Sequence, residues 1–123
     1  MSSLVLQVCV GCKDVDAAKR RRGEGGGPVL AQTLREIAAE LGVAAPPTVT
    51  EHPCLGRCTR RGRMSIAGTG RWSWLFEAID SAADRQALTE FLRAWLESPD
   101  GFVAKEARPV SLRKRMLGRV PPT

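Results

Sequence analysis

Four cysteines in two close pairs carry the most specific chemistry in this 123-residue chain. Cys9 and Cys12 enclose Val10 and Gly11; Cys54 and Cys58 enclose Leu55, Gly56 and Arg57. Thiolates are the ligands that zinc and iron–sulfur centres use, and four on one compact scaffold suit either. Both spacings let two sulfurs reach one site, and Gly11 and Gly56 ease the tight backbone turns between them. A pair such as CVGC also suits thiol–disulfide exchange. The remaining reading is that of small buried apolar side chains, which fits a lone cysteine better than two close pairs.

Other arrangements of reactive residues carry less. His52 is the only histidine. It reads as a strand-end residue, with a role as alternate ligand or sulfur hydrogen-bond donor as the other option. One histidine with no neighbouring nucleophile gives a cysteine–histidine hydrolase little support. The Gly23–Gly27 stretch lacks the Gly-Lys-Ser/Thr of a phosphate-binding loop. The chain is therefore expected to be a metal-binding protein or electron carrier and not a catalyst.

The elements that must position the cysteines follow from the hydrophobic pattern. Leu4, Val5, Leu6, Val8 and Val10 form a β-rich run ending at the first pair. A charged, Gly-rich stretch over 13–27 reads as a loop. Pro28 opens a helix whose apolar face is Leu30, Leu34, Ile37, Ala38 and Leu41, with Gly42 as its stop. A short strand over 48–52 delivers Cys54. Residues 63–67 and 71–76 read as a hairpin turning at Gly68–Gly70. Trp72 and Trp74 on the second of these strands are expected on opposite faces, one in the core and the other under the second helix or the tail. Without further aromatics beside them, a base-stacking role is weakly supported. Ser81 and Asp84 resemble a capping box opening a second helix with Leu88, Phe91, Leu92, Trp95 and Leu96 on its buried face. Strand, helix, strand, strand, strand, helix is the order of thioredoxin-like domains. A thioredoxin active-site pair sits at a helix start directly after its strand, however, whereas a long loop follows Cys12.

The net charge of +6 is compatible with nucleic-acid binding but equally with an anionic cofactor. Three basic runs carry it: Lys19–Arg22, then Arg57, Arg60, Arg61 and Arg63, then Arg113–Arg115. The opening segment lacks a basic n-region, and no apolar run reaches membrane-spanning length. A cytoplasmic protein without membrane insertion is expected, and in that reducing compartment metal or redox chemistry is favoured over structural disulfides. The apolar residues Val103, Val110, Leu112, Met116, Leu117 and Val120 are too many for a disordered basic arm. The division expected is a thioredoxin-like domain over 1–101 and a basic extension over 102–123, with a short helical turn at Leu112 to Leu117, docking on the domain or a partner.

CLGRC followed by RMSIAG resembles the second cluster motif of thioredoxin-like 2Fe–2S ferredoxins. These include the small iron–sulfur subunit of NADH:quinone oxidoreductase and the Shethna-type ferredoxins. The whole chain also resembles a bacterial family described as predicted metal-binding proteins. The shared pieces, in order, are CVGC, CLGRC, TRRGR, GRWSWLF and SPDGFVAKEARPVSLRKRMLGRVPP. The resemblance implies a thioredoxin-like ferredoxin fold of α/β class, with an approximately four-stranded mixed sheet and two main helices. It also implies a 2Fe–2S cluster on Cys9, Cys12, Cys54 and Cys58. The ferredoxins differ in a longer first spacer and a Gly-Pro after the fourth cysteine, which leaves zinc as the alternative cofactor. In the cluster reading Lys13, Arg57, Arg60 and Arg61 would favour the reduced state, placing the potential above the roughly −400 mV of plant-type ferredoxins. The expected partner is a redox protein of acidic character; a homodimer is compatible, and nucleic acid is disfavoured. The alternatives are a zinc-bearing nucleic-acid interaction module and a thiol–disulfide oxidoreductase.

Overall fold

The computed structural model describes residues 4–9, 27–42, 48–52 and 63–122. Strand β1 (Val5–Cys9) lies between β2 (Thr48–His52) and β3 (Met64–Ala67). Strands β4 (Ser73–Phe76) and β5 (Met116–Val120) extend the sheet to the order β2-β1-β3-β4-β5. β1 and β2 run parallel, and the other three pairings are antiparallel. Helix α1 (Gly27–Glu40) falls between the parallel strands, the connection a parallel pair requires. Helix α2 (Arg85–Glu97) follows the β3–β4 hairpin, and the short α3 (Val110–Arg113) precedes β5.

Alternation along the strands selects one face for the core. Leu6 and Val8 of β1, Met64 and Ile66 of β3, and Trp74 and Phe76 of β4 are buried there. Leu30, Leu34 and Ile37 of α1 and Leu88, Phe91, Leu92 and Trp95 of α2 belong to the same cluster, at the helical spacing that makes one apolar stripe. Phe91 meets Trp74 and Phe76 edge-on at 5.1 and 5.2 Å between centroids, the geometry aromatic quadrupoles favour. Each such side chain contributes about 1.5–3 kcal/mol by leaving water.

Four details depart from the sequence reading. The sheet has five strands where about four are expected, because residues 116–120 pair with β4. The helical turn ends at Arg113 and gives way to strand. The tail has no clean period-2 signal, since Gly118 interrupts it and a register shift lies opposite Leu75 and Phe76. Trp72 and Trp74 do not part to opposite faces: both rings meet Phe102, at 5.2 and 6.1 Å. Residues two apart on an extended chain share a face. The turn before α2 is capped one residue earlier than Ser81. The Asp80 carboxylate accepts from the amides of Ala82 and Ala83, and the Asp80 amide donates to the Asp84 carboxylate. That exchange is a reciprocal cap with aspartates in both roles.

Candidate metal centre at one end of the sheet

Cys9 is the last residue of β1 and is buried. On its parallel side its register partner is His52, the last residue of β2. On its antiparallel side its amide donates to the carbonyl of Arg63, 3.1 Å away, at the point where the chain enters β3. The cysteine is thus flanked by the two residues that bracket the segment 53–62, which carries Cys54 and Cys58. Neighbouring strands are about 4.8 Å apart, so the two anchors of that segment sit about 10 Å from each other with β1 between them. Cys12, Cys54 and Cys58 lie outside the described residues, as do Lys13, Arg57, Arg60, Arg61 and the Lys19–Arg22 run. The side chain of His52 is likewise outside them. Among the described residues there is no group of three or more metal-ligating side chains.

The same end of the sheet holds a row of charged residues. Met64 is opposite both Val8 and Phe76, so one step outward Cys9, Arg63 and Glu77 fall in line across three strands. Cross-strand partners share a face, which puts the Arg63 side chain beside Cys9 on the face opposite α1 and α2. Arg63 is only 8% exposed, an unusual position for an arginine. Its Nη2 lies 3.8 Å from the Glu77 carboxylate, and its Nε has no hydrogen-bond partner among the described residues. The arrangement places a buried cation next to the one described cysteine. Glu77 already faces that charge at 3.8 Å, and the unpartnered Nε leaves the cation able to serve a thiolate or an anionic centre as well. Sequence reading counted Arg63 as the first residue of a strand and one member of a basic run. Its burial is visible only once the strand order sets it between Cys9 and Glu77.

A second set of functional-looking residues sits at the other end of β4. Arg71 is buried, its guanidinium carbon 4.3 Å from the centre of the Trp95 ring. Its Nη2 donates to the carbonyls of Trp95 and Ser98, the latter at 3.0 Å. A cation on the last carbonyls of α2 matches the negative end of the helix dipole. The indole of Trp95 donates to the carbonyl of Trp72 at 2.8 Å, and that of Trp74 to the carbonyl of Gly101 at 2.9 Å. Arg71 therefore caps a helix and supports the Ser98–Gly101 turn.

Residues 6–122 match the family described as protein of unknown function DUF1636. No curated protein matches the sequence. Among solved structures the fold is similar to that of a thioredoxin-like [2Fe-2S] ferredoxin from Aquifex aeolicus. The TM-score is 0.60 at 13% identity, over 98% of this chain and 94% of that one. The fold class expected from the strand–helix order is the one observed: a thioredoxin-like ferredoxin fold, with its mixed sheet one strand larger.

Proposed function

Taking as premise that the chain belongs to the DUF1636 family and has a thioredoxin-like ferredoxin fold, we propose that it is a one-electron carrier or redox sensor. In this reading Cys9, Cys12, Cys54 and Cys58 hold a 2Fe–2S cluster. The observation that carries it is the position of Cys9 between His52 and Arg63, the two anchors of the segment bearing the second pair. At no more than about 3.6 Å per residue, Cys12 lies within about 11 Å of Cys9 and Cys54 within about 7 Å of His52. Chain length is thus compatible with Cys9, Cys12 and Cys54 meeting at one sheet end, which supports a shared ligand sphere.

The bound cluster would supply reversible one-electron transfer between its two oxidation states. The chain's own contribution is to gather the thiolates, keep Cys9 out of water and set a fixed cation beside it. Arg63 opposes the desolvation of an anionic centre, and Glu77 holds the guanidinium in place. A redox partner protein follows from a carrier role. No helix among the described residues is long and apolar enough to cross a membrane.

Anaerobic purification with iron and acid-labile sulfide analysis tests the reading. The expected result is two irons and two sulfides per chain, visible absorption that bleaches on dithionite, and an electron paramagnetic resonance signal in the reduced state. Cys9→Ser is expected to lose or alter that spectrum while far-ultraviolet circular dichroism stays unchanged. Colourless protein with one zinc per chain would replace the cluster with a structural zinc site. Metal-free protein whose Cys9 and Cys12 cycle with a dithiol reductant would make it an oxidoreductase.

A further inference from the structure

Phe102, just past the Ser98–Gly101 turn, is one of five large apolar side chains exposed among the described residues. Its ring packs with Trp72 and Trp74, and two arginines lie over this cluster. The guanidinium carbon of Arg108 is 5.1 Å from the Trp74 ring centre and 5.8 Å from that of Phe102. That of Arg119 is 5.6 Å from Phe102, 5.8 Å from Trp74 and 6.0 Å from Trp72. A third arginine adjoins them, since Arg113 donates its Nε to the carbonyl of Arg108 at 3.1 Å. Arg108 in turn donates its Nε to the carbonyl of Val103 at 2.8 Å.

These hydrogen bonds engage the inner Nε of Arg108 and of Arg113. None of the three arginines forms an ion pair among the described residues, whereas Arg35, Arg63, Arg85 and Arg115 each do. Burial, and then the charges of Arg119 and Arg113, hold Arg108 below the usual arginine range; only Glu106 acts against them. Three like charges thus lie close together without an ion pair among the described residues. Such crowding costs free energy unless an external anion relieves it.

We propose that Arg108, Arg113 and Arg119, braced by Trp72, Trp74 and Phe102, form a docking surface for an acidic segment of a partner protein. Guanidinium groups lying over rings present their rim nitrogens outward as flat forks, the shape that pairs with carboxylates two bonds at a time. Arginine and aromatic side chains together are also the residues that dominate protein interfaces. Single-stranded nucleic acid is the poorer occupant because its bases need open ring faces. Here Trp74 is wholly buried, and Trp72 and Phe102 are turned edge-on to each other beneath Arg119. The surface lies at the Trp72–Trp74 end of β4, whereas Cys9 is aligned with its Phe76–Glu77 end. The inference stands whether or not a cluster binds at the cysteine end.

Fluorescence anisotropy of a fluorescein-labelled octaglutamate peptide with the full chain tests it. Binding is expected at 50 mM salt and should weaken as salt rises. R108Q/R119Q is expected to bind about ten-fold more weakly, as loss of charge-assisted pairs implies. R108K/R119K, which keeps the charge and loses the fork, should fall between. R35Q/R93Q removes the same charge elsewhere and should cost less than about two-fold. If R108Q/R119Q does not fold, R119E alone must show the ten-fold loss. Three results overturn the proposal: no binding of the peptide by the wild type, an equal loss in R35Q/R93Q, or tighter binding of octathymidylate with the same arginine dependence. The last would assign the surface to nucleic acid.

Discussion

Gly101 offers the sharpest test of the packing that supports the aromatic end of the sheet. Its φ is +81°, a region that costs a side-chain-bearing residue about 1–2 kcal/mol. A Cβ there would also stand 2.9 Å from the Trp95 Nε1, 3.0 Å from the Trp72 amide nitrogen and 3.1 Å from the Arg71 Cβ. None of these neighbours can yield easily. The Trp95 indole is tied to the Trp72 carbonyl, the Trp72 amide donates to the Asp100 carbonyl at 2.8 Å, and the Trp74 indole donates to the Gly101 carbonyl. Forced overpacking of this kind adds about 1–3 kcal/mol. Gly101→Ala is thus expected to cost about 3 kcal/mol, a fall in Tm on the order of 10 °C for a domain of this size. Gly70→Ala is the matched comparison, because Gly70 has a φ of +70° with nothing within 4 Å of its added Cβ. It should cost only the backbone share, about 1 kcal/mol. Urea unfolding followed by tryptophan fluorescence reads both, since Trp72, Trp74 and Trp95 all border the site. Equal losses for the two variants would refute the steric argument.

Three further perturbations address the charged groups. Arg115 pairs with Asp84, whose side chain is 3% exposed. Arg115→Gln leaves that carboxylate buried without its cation, and because Arg115 is a third exposed the expected loss is about 2 kcal/mol, less than for a wholly buried pair. A double-mutant cycle with Asp84→Asn checks it, and additive losses would count against the pair. Under the cluster reading, Arg63→Gln should lower the reduction potential in an anaerobic titration, since reduction then adds charge without a neighbouring cation; Arg35→Gln should leave it unchanged. Finally, hydrogen bonds from Arg85 and then Gln32 hold the Glu36 carboxyl below its ordinary 4.5. A depressed folded-state pKa gives stability that is present above 4.5 and lost as pH falls through the lower folded value. Arg85→Gln, which also frees Glu40, should flatten that part of the acid-unfolding curve, and an unchanged slope would contradict the assignment.

What the sequence made legible is what short-range pattern encodes. The two long helices announce themselves by apolar residues at helical spacing, and β1 and the β3–β4 hairpin by β-rich runs bounded by glycine. The fold class followed from their order. β5 was hidden because Gly118 and the bulge opposite Leu75 break the alternation that marks a strand. The cap at Asp80 was displaced by one residue because several adjacent residues, Asp80, Ser81 and Asp84, can all accept from a backbone amide. At the site, the pairing of the cysteines with strand ends was readable at Cys9. The roles of Arg63 and Arg71 were not, since an arginine in a strand pattern is ordinarily a solvated side chain. Strand order supplies the neighbours that bury Arg63, and the docked end of α2 supplies those that bury Arg71.

Sheet topology strengthens the metal-centre proposal beyond what cysteine spacing allows. Two parallel neighbours such as β1 and β2 must end at the same edge of a sheet, and a strand antiparallel to β1, such as β3, must begin there. The order β2-β1-β3 therefore gathers three chain passages at one edge: the exit toward Cys12, the exit toward Cys54 and the return from Cys58. Reversing β2 would send the second pair's exit to the opposite end of the sheet, and inserting β3 between β1 and β2 would set the two exits about 10 Å apart, with the same spacing intact in both cases. That convergence of chain passages is a property of the path of the chain, and under the proposal the buried Arg63 at that end would supply an opposite charge to clustered thiolates. If both proposals hold, the arginine–aromatic surface at the far end of β4 separates the two tasks, with electron transfer at one end of the sheet and attachment to a partner at the other.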